Sequence, residues 1–170
     1  MRIAVVHSFY SSAQPSGENR VVEDQVEVLK QAGHQVELVR QDTEALQGGL
    51  YAAKTAINLV SGSGFDPSDA LSRFNPDVVH VHNLFPNFST GWIAKISAPT
   101  VVSLHNYRTV CSNGLLYRDG NICHECPDRG NQRSVVHGCY RDSRVATIPV
   151  ALSRGRNQRD LLTGAAAIVT

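Results

Sequence analysis

Four cysteines in the last third of the chain have the spacing C-x11-C-x2-C-x12-C, at Cys111, Cys123, Cys126 and Cys139. A C-x2-C pair can place two thiolates on one cation, and the flanking cysteines could complete a tetrahedral zinc site with Zn–S bonds of about 2.3 Å. His124 and His137 are substitute ligands. The second C-x2-C pair of a zinc ribbon is missing, so disulfides and free thiols remain open beside structural zinc.

Two histidines follow apolar runs that are typical of buried strands. His82 ends the run at 78–82, and His105 follows the run at 100–104 and precedes three further side chains of ligand type, Asn106, Tyr107 and Arg108. A histidine at the carboxyl end of a parallel strand can reach a ligand in the crevice there, for proton transfer or hydrogen bonding. His80 and His82 share a strand face, so a metal pair is conceivable, although a hydrogen-bonded structural histidine is commoner.

The loop at 11–19 is rich in small residues and leads into a predicted helix. Such a loop offers backbone N–H groups and the positive end of the helix dipole to an anion, and Gly17 allows close approach of the backbone. The loop lacks the pattern G-x-G-x-x-G, so simple turn chemistry at this glycine is the alternative.

Apolar periodicity predicts the elements that position these groups. Strands are predicted at 3–7, 36–41, 78–82, 100–104 and 165–170, and helices at 18–32, 50–60, 69–74, 88–96 and 146–162. Strands that alternate with helices and are apolar on both faces indicate a parallel sheet covered on both sides. The predicted fold class is therefore α/β, a doubly wound and mainly parallel sheet with helices on both faces. Ligands of such folds bind at the carboxyl ends of the strands.

Length and composition favour one globular domain over 1–170. The chain is 42% hydrophobic and 18% charged, which excludes global disorder. Its net charge of +1 argues against a nucleic-acid partner, although residues 105–170 carry nine arginines against five acidic residues. The chain begins without a recognisable signal peptide and lacks an apolar stretch of membrane-spanning length, so we expect a cytoplasmic protein.

Several patterns occur in order along the chain: Met1-Arg-Ile-Ala-Val-Val-His7, Pro15-Ser-Gly-Glu18, Gly33-His-Gln-Val-Glu-Leu38, Pro76-Asp-Val-Val-His-Val-His82 and Ser103-Leu-His-Asn106. Together they resemble the N-terminal half of the retaining family-four glycosyltransferases of the GT-B fold. The Cys-rich insertion after the fourth predicted strand, about 106–143, is similar to one carried by a branch of that family. The resemblance implies a Rossmann-like domain that chiefly binds the acceptor.

The same resemblance implies roles for individual residues. Gly17, with Ser16, would bind the donor diphosphate, and His105 would be the catalytic residue that hydrogen-bonds the transferred sugar. The acceptor or sugar side would include His82, Asn106 and Arg108. Ser16 stands where the family often has a glycine, which could alter the approach of the diphosphate. Members of the family generally need no catalytic metal, so zinc at the cysteines would be structural.

The resemblance also sets expectations for the whole protein. Thr170 directly follows a strand-like run, so we expect a C-terminal donor-binding domain that is absent from these 170 residues, and no activity without it. The expected partners are a nucleotide-sugar donor and an unknown acceptor, without nucleic acid and with transient contact to a membrane surface. The alternative function is a zinc-stapled nucleic-acid or protein interaction module.

Overall fold

A computed structural model describes residues 1–10, 16–46 and 50–170 of the chain. Five parallel strands form the main sheet, and they are β1 (Arg2–Phe9), β2 (Gln35–Asp42), β3 (Val78–Val81), β4 (Thr100–Ser103) and β7 (Ala167–Val169). Their order across the sheet is β2-β1-β3-β4-β7. All five lie where the sequence predicts strands, and the α/β class with its parallel, Rossmann-like sheet is confirmed.

Helices connect these strands on both sides of the sheet. They are α1 (Gly17–Gln31), α2 (Thr43–Leu46), α3 (Tyr51–Ser61), α4 (Ser68–Phe74) and α7 (Arg144–Gly164), with a 3₁₀ turn at Ile93–Lys95. Four of them correspond to predicted helices, and α2 was not predicted. No helix in the described ranges is long and apolar enough to cross a membrane.

The two faces of the sheet have different cores. On one face, Val22 and Val26 of α1 pack against a cluster that contains Ile3 and Val5 of β1. On the other face, a larger cluster contains Ala4, Val6, Val79, Val81, Leu71, Trp92, Ile93 and Val102. Because side chains alternate along a strand, Val79 and Val81 of β3 face the large cluster while His80 and His82 face the side of α1.

The predicted helix at 88–96 is wrong, because only its end forms the 3₁₀ turn Ile93–Lys95. Phe65 and Phe88 form an isolated parallel bridge, in which Ser89 N–H donates to the carbonyl of Phe65 at 3.0 Å. The amide of Phe65 in turn donates to the carbonyl of Asn87 at 2.8 Å. The backbone at 87–89 is thus paired with a distant segment, which prevents a helix from starting at Phe88.

The segment 106–143 contains four short elements that were not predicted. They are the hairpin strands β5 (Tyr117–Arg118) and β6 (Asn121–Ile122) and the helices α5 (Glu125–Arg129) and α6 (Gln132–His137). Neither core cluster includes a residue of this segment. Short elements that bury so little apolar surface leave a weak periodic signal, which explains why the sequence did not reveal them.

Replacing Gly64 by Ala tests the contact that displaces the predicted helix. A Cβ atom at Gly64 would lie 2.7 Å from the backbone of Phe88 and Ser89. We expect the Gly64→Ala variant to lose about 2 kcal/mol of unfolding free energy in urea titrations, because backbone must move. Gly91→Ala, whose Cβ would meet nothing within 4 Å, is the control and should unfold like the parent chain. Equal stability of the two variants would contradict the close approach.

Candidate functional site

An open cavity lies at the carboxyl ends of β3 and β4. Its lining includes four of the predicted site residues, His82, His105, Asn106 and Arg108. They meet because β3 and β4 are hydrogen-bonded neighbours in register, with Val81 opposite Val102. The loops that follow the two strands therefore leave the sheet side by side. Gly17 and Ser16 are not among the lining residues.

His82 is the central hydrogen-bonding group of this edge. Its ring is buried, its Nε2 lies 2.8 Å from Gln25 Oε1 of α1, and its Nδ1 lies 2.7 Å from His105 Nε2. An amide oxygen can only accept, so the His82 proton is on Nε2 and its Nδ1 is an acceptor. His105 Nε2–H must then donate to His82. This leaves Nδ1 of a neutral His105 ring as a hydrogen-bond acceptor.

His105 is exposed, in contrast to His82. The two rings stack with their centroids 5.0 Å apart and 18° between their planes. Stacking and the hydrogen bond to His82 together define the orientation of an otherwise solvent-facing imidazole. Such a ring can present its second nitrogen to a ligand in the cavity without first becoming ordered.

Two more histidines continue this polar row on the α1 side of the sheet. His80 Nε2 lies 2.9 Å from Ser103 Oγ, and its ring centroid is 4.2 Å from that of His82. The ring of His7 is fully buried, and it accepts from Asn83 N–H at Nδ1 and lies 3.1 Å from Asn19 Oδ1 at Nε2. These partners give the buried His7 and the half-buried His80 structural roles.

Burial keeps these rings neutral. Burial lowers the pKa of His7 from 6.5 to about 4, although its hydrogen bond with Asn19 acts in the opposite direction. The pKa of His82 falls to about 3, first because of burial and then because His80, His105 and His7 would repel a second positive charge. The pKa of His80 is lowered first by burial and then by repulsion from His105. A neutral His82 can keep accepting from His105 across the physiological pH range.

A second contact connects the start of α1 to the loop after β4. Asn106 Nδ2 donates to Glu18 Oε1 at 2.7 Å, and Asn106 Oδ1 accepts from the amide of Arg108 at 2.9 Å. Glu18 Oε2 is buried without a hydrogen-bond partner. The helix start predicted to bind an anion and the loop that carries His105 are therefore neighbours. Asn106 itself already uses its side chain to join them.

Gly17 is the first residue of α1, and Ser16 is its N-cap. Ser16 Oγ accepts from the amide of Glu18 at 3.2 Å, which satisfies one of the free N–H groups of the helix start. Gly17 is exposed, and a Cβ placed on it would meet nothing within 4 Å. The remainder of the predicted anion-binding loop, at 11–15, lies outside the described residues.

Arg108 is held by several groups at the rim of the cavity. Its guanidinium lies 4.4 Å from the ring centroid of Phe85 and 5.8 Å from that of Tyr140. One terminal nitrogen donates to the carbonyl of Ser112 at 2.8 Å, while Nε is buried without a hydrogen-bond partner. A stacked and hydrogen-bonded guanidinium is preorganised as a donor to hydroxyl or phosphate oxygens.

The opposite wall of the cavity was missed by the sequence analysis. It comes from one face of α7, through Val150, Ser153, Arg154, Asn157 and Leu161, and from Thr90. Thr90 Oγ1 is 2.7 Å from Asp160 Oδ2, and the buried Arg154 donates to the carbonyl of Val110 at 2.7 Å. The signal in the sequence was that these α7 residues recur at helical spacing and so share one helix face, on which polar and apolar side chains are mixed.

The four cysteines also come together, away from this cavity. All four line a second, small cavity beneath the β5–β6 hairpin, and none forms a disulfide. Within the described ranges, no group of three or more His, Cys, Asp and Glu side chains is arranged so that it could hold a metal ion without a shift of its side chains. The four cysteines thus share one cavity as free thiols.

A model of the family described as Glycosyltransferase Family 4 matches residues 15–121, more than half of the chain. The match includes Gly17, His82, His105 and Arg108 and ends before Cys123. No curated protein and no solved structure matches the chain.

The buried imidazoles predict a loss of stability in acid. Unfolded histidines take up protons below about pH 6.5, whereas the folded chain keeps His7 and His82 neutral until their lowered pKa values of about 4 and 3. The stabilisation that these two neutral rings give is therefore complete above pH 6.5 and is lost as the pH falls. At about pH 5, each ring should have reduced the unfolding free energy by about 2 kcal/mol relative to its value above pH 6.5, as measured by urea titration.

Between about pH 7.5 and pH 5, a His82→Asn variant should lose about 2 kcal/mol of this pH dependence, because one buried ring with a lowered pKa is removed. Val79→Ala is the matched control, since it removes buried bulk from the same strand without removing a titrating group. It should lower stability by the same amount at both pH values. An unchanged pH dependence in His82→Asn would contradict the neutral buried state of His82.

Proposed function

The chain belongs to glycosyltransferase family 4, and we propose that it forms the acceptor-binding half of a retaining enzyme that uses a nucleotide-sugar donor. In this proposal the enzyme has the GT-B fold, and a second domain holds most of the donor. The 170 residues alone would then bind sugar but transfer none. The enzyme would act in the cytoplasm, with transient contact to a membrane surface.

One observation carries the proposal: His82, His105, Asn106 and Arg108 line one open cavity at the carboxyl ends of β3 and β4. Ligands of parallel α/β sheets bind at this edge. The lining combines apolar groups such as Phe85 and Leu104 with oriented polar groups. A sugar has both kinds of surface, since its ring C–H groups are apolar and its hydroxyls both donate and accept.

His105 is the proposed catalytic residue, and His82 is its positioning residue. With His105 Nε2–H donated to His82, Nδ1 of the neutral ring can accept from a hydroxyl of the transferred sugar. Gln25 supports this arrangement because its carbonyl oxygen holds the His82 proton on Nε2. Asn106 and Arg108 would complete the acceptor or sugar side of the site.

The donor diphosphate is proposed to lie at the start of α1. Gly17 N–H belongs to this helix end, whose dipole favours an anion. The Glu18 carboxylate opposes this attraction, and its hydrogen bond from Asn106 disperses part of its charge. Ser16 is expected to assist through its capping of the helix. Stabilising the leaving diphosphate would let the acceptor attack the sugar on the same face from which the diphosphate departs, without a catalytic metal.

Replacing His105 tests the sugar site. We expect His105→Ala to weaken binding of a UDP-hexose or GDP-hexose about tenfold, because one oriented hydrogen bond is lost. Two-dimensional NMR titration of the chain with a panel of such donors measures the change. His105→Asn should recover part of the affinity, since its side-chain oxygen can replace the Nδ1 acceptor.

His34→Ala is the control for this titration, because His34 lies before β2, at the opposite edge of the sheet. It should bind as the parent chain does. The proposed site is wrong if His105→Ala leaves the affinity for every donor in the panel unchanged. It is also wrong if the chemical-shift changes in the titration fall on residues that are distant from the cavity. Sugar transfer by the isolated 170 residues would contradict the half-enzyme proposal.

Replacing Gly17 by Ala tests the diphosphate contact separately. Because a Cβ has open space there, the variant should remain as stable as the parent chain in thermal denaturation. Its methyl group would instead stand between the backbone and the diphosphate, so affinity for UDP should fall at least about tenfold. Gly155→Ala on α7, also without a neighbour within 4 Å, should bind UDP normally. Unchanged UDP affinity in Gly17→Ala would exclude this contact.

A further inference from the structure

The segment 106–143 has a cavity lined by cysteines in the place of an apolar core. Its buried hydrophobic residues are Cys111 and Cys126, and its buried polar side chains are Ser112 and Ser134. Ser112 Oγ donates to Ser134 Oγ at 2.8 Å beside this cavity. Segments of this size with so little apolar burial need a disulfide or a metal to remain ordered.

The cysteine side chains are brought together from all parts of the segment. Cys111 precedes the β5–β6 hairpin, Cys123 directly follows it, Cys126 is on α5, and Cys139 follows α6. All four side chains line the same small cavity, so cysteines from four separate parts of the segment meet at one place. A cation bound there would stabilise them as thiolates.

One arginine at the cavity, Arg133, has a buried guanidinium nitrogen without a hydrogen-bond partner, which favours a negatively charged occupant. Arg118 and Arg133 line it together with one acidic side chain, Glu125. Arg118 donates to Glu125 Oε1 at 2.8 Å, whereas Arg133 Nε is 3.4 Å from Glu125 Oε2 and makes no hydrogen bond. His137 also contacts Glu125 Oε2, at 3.1 Å. Arg118 Nε also donates to Asp119 Oδ2 at 3.0 Å, so Arg118 is already paired with two carboxylates. Zinc held by four thiolates carries a net charge of about −2, and the guanidinium group of Arg133 would offset part of it.

We propose that Cys111, Cys123, Cys126 and Cys139 bind one zinc ion that holds the segment 106–143 in shape. On binding, the four thiols release four protons and form four Zn–S bonds. The sulfurs must move to about 3.8 Å from one another, the spacing of a tetrahedron with Zn–S bonds of about 2.3 Å. Cys111 would give up its contact with Asn113 Oδ1, 2.9 Å from its sulfur. The ion is structural and takes no part in sugar transfer.

Elemental analysis of the chain tests the proposal directly. Protein purified under reducing conditions, without added metal or chelator, should contain about one zinc per chain. Its four thiols should react with a thiol reagent only after a chelator is added. Exchange of zinc for cobalt(II) should give the visible absorption of a tetrahedral cobalt thiolate, which reports the ligands without any activity measurement.

Removing one zinc ligand should disorder the segment 106–143 while the sheet remains folded. We expect Cys126→Ser to lose the zinc and to expose the segment to trypsin at Arg118, Arg129 and Arg133, while the circular dichroism of the α/β domain is retained. Ser112→Ala is the matched control, because it removes a buried hydroxyl of the same segment and no ligand. It should keep about one zinc per chain.

Three results would overturn the proposal. The first is less than about a tenth of an equivalent of zinc together with four thiols that react freely in the native chain. The second is a native mass lowered by the hydrogens lost in disulfide formation, with no cobalt spectrum after reduction. The third is full zinc content in Cys126→Ser. If that variant does not fold, the cobalt spectrum of the parent chain still decides the question.

Discussion

Parallel pairing between β3 and β4 is the constraint on which the candidate site depends. The register that places Val81 opposite Val102 brings the loops after both strands to the same edge of the sheet. His82 and His105 can therefore form a hydrogen bond of 2.7 Å although 23 positions separate them in the sequence. A shift in this register would move the two rings apart by more than a hydrogen bond can span.

The face of the sheet that packs against α1 has an apolar part and a part that contains histidines. Its apolar part, around Val5 and Val22, packs as a core, whereas the part near β3 holds imidazoles that burial keeps neutral. Such rings stabilise the domain less than apolar side chains would, because each needs a hydrogen-bond partner. In return, a neutral His82 gives the exposed His105 one defined orientation at the cavity.

Helix α7 links the cysteine-rich segment to the cavity. One of its faces supplies Ser153, Arg154 and Asn157 to the cavity wall. The same helix contacts α6, and its Arg154 donates to the carbonyl of Val110, next to Cys111. The proposed zinc would thus order a segment that packs against α7, the helix that forms one wall of the cavity. A structural ion could in this way affect the shape of the sugar site without taking part in the chemistry.

The sequence by itself determined the strands and the parallel α/β class, and it singled out His82 and His105, which line the candidate cavity, because these depend on local periodicity and on residue type. Gly17, His82 and His105 could be named since each follows or precedes a readable element. The helix at 88–96 was predicted wrongly, because a long-range bridge between Phe65 and Phe88 outweighs local propensity. Tertiary structure alone decided that Gln25 and Glu18 of α1 reach the two loops, that α7 forms the second wall, and that four cysteines share one cavity. These are contacts between distant parts of the chain, and no local pattern encodes their partners.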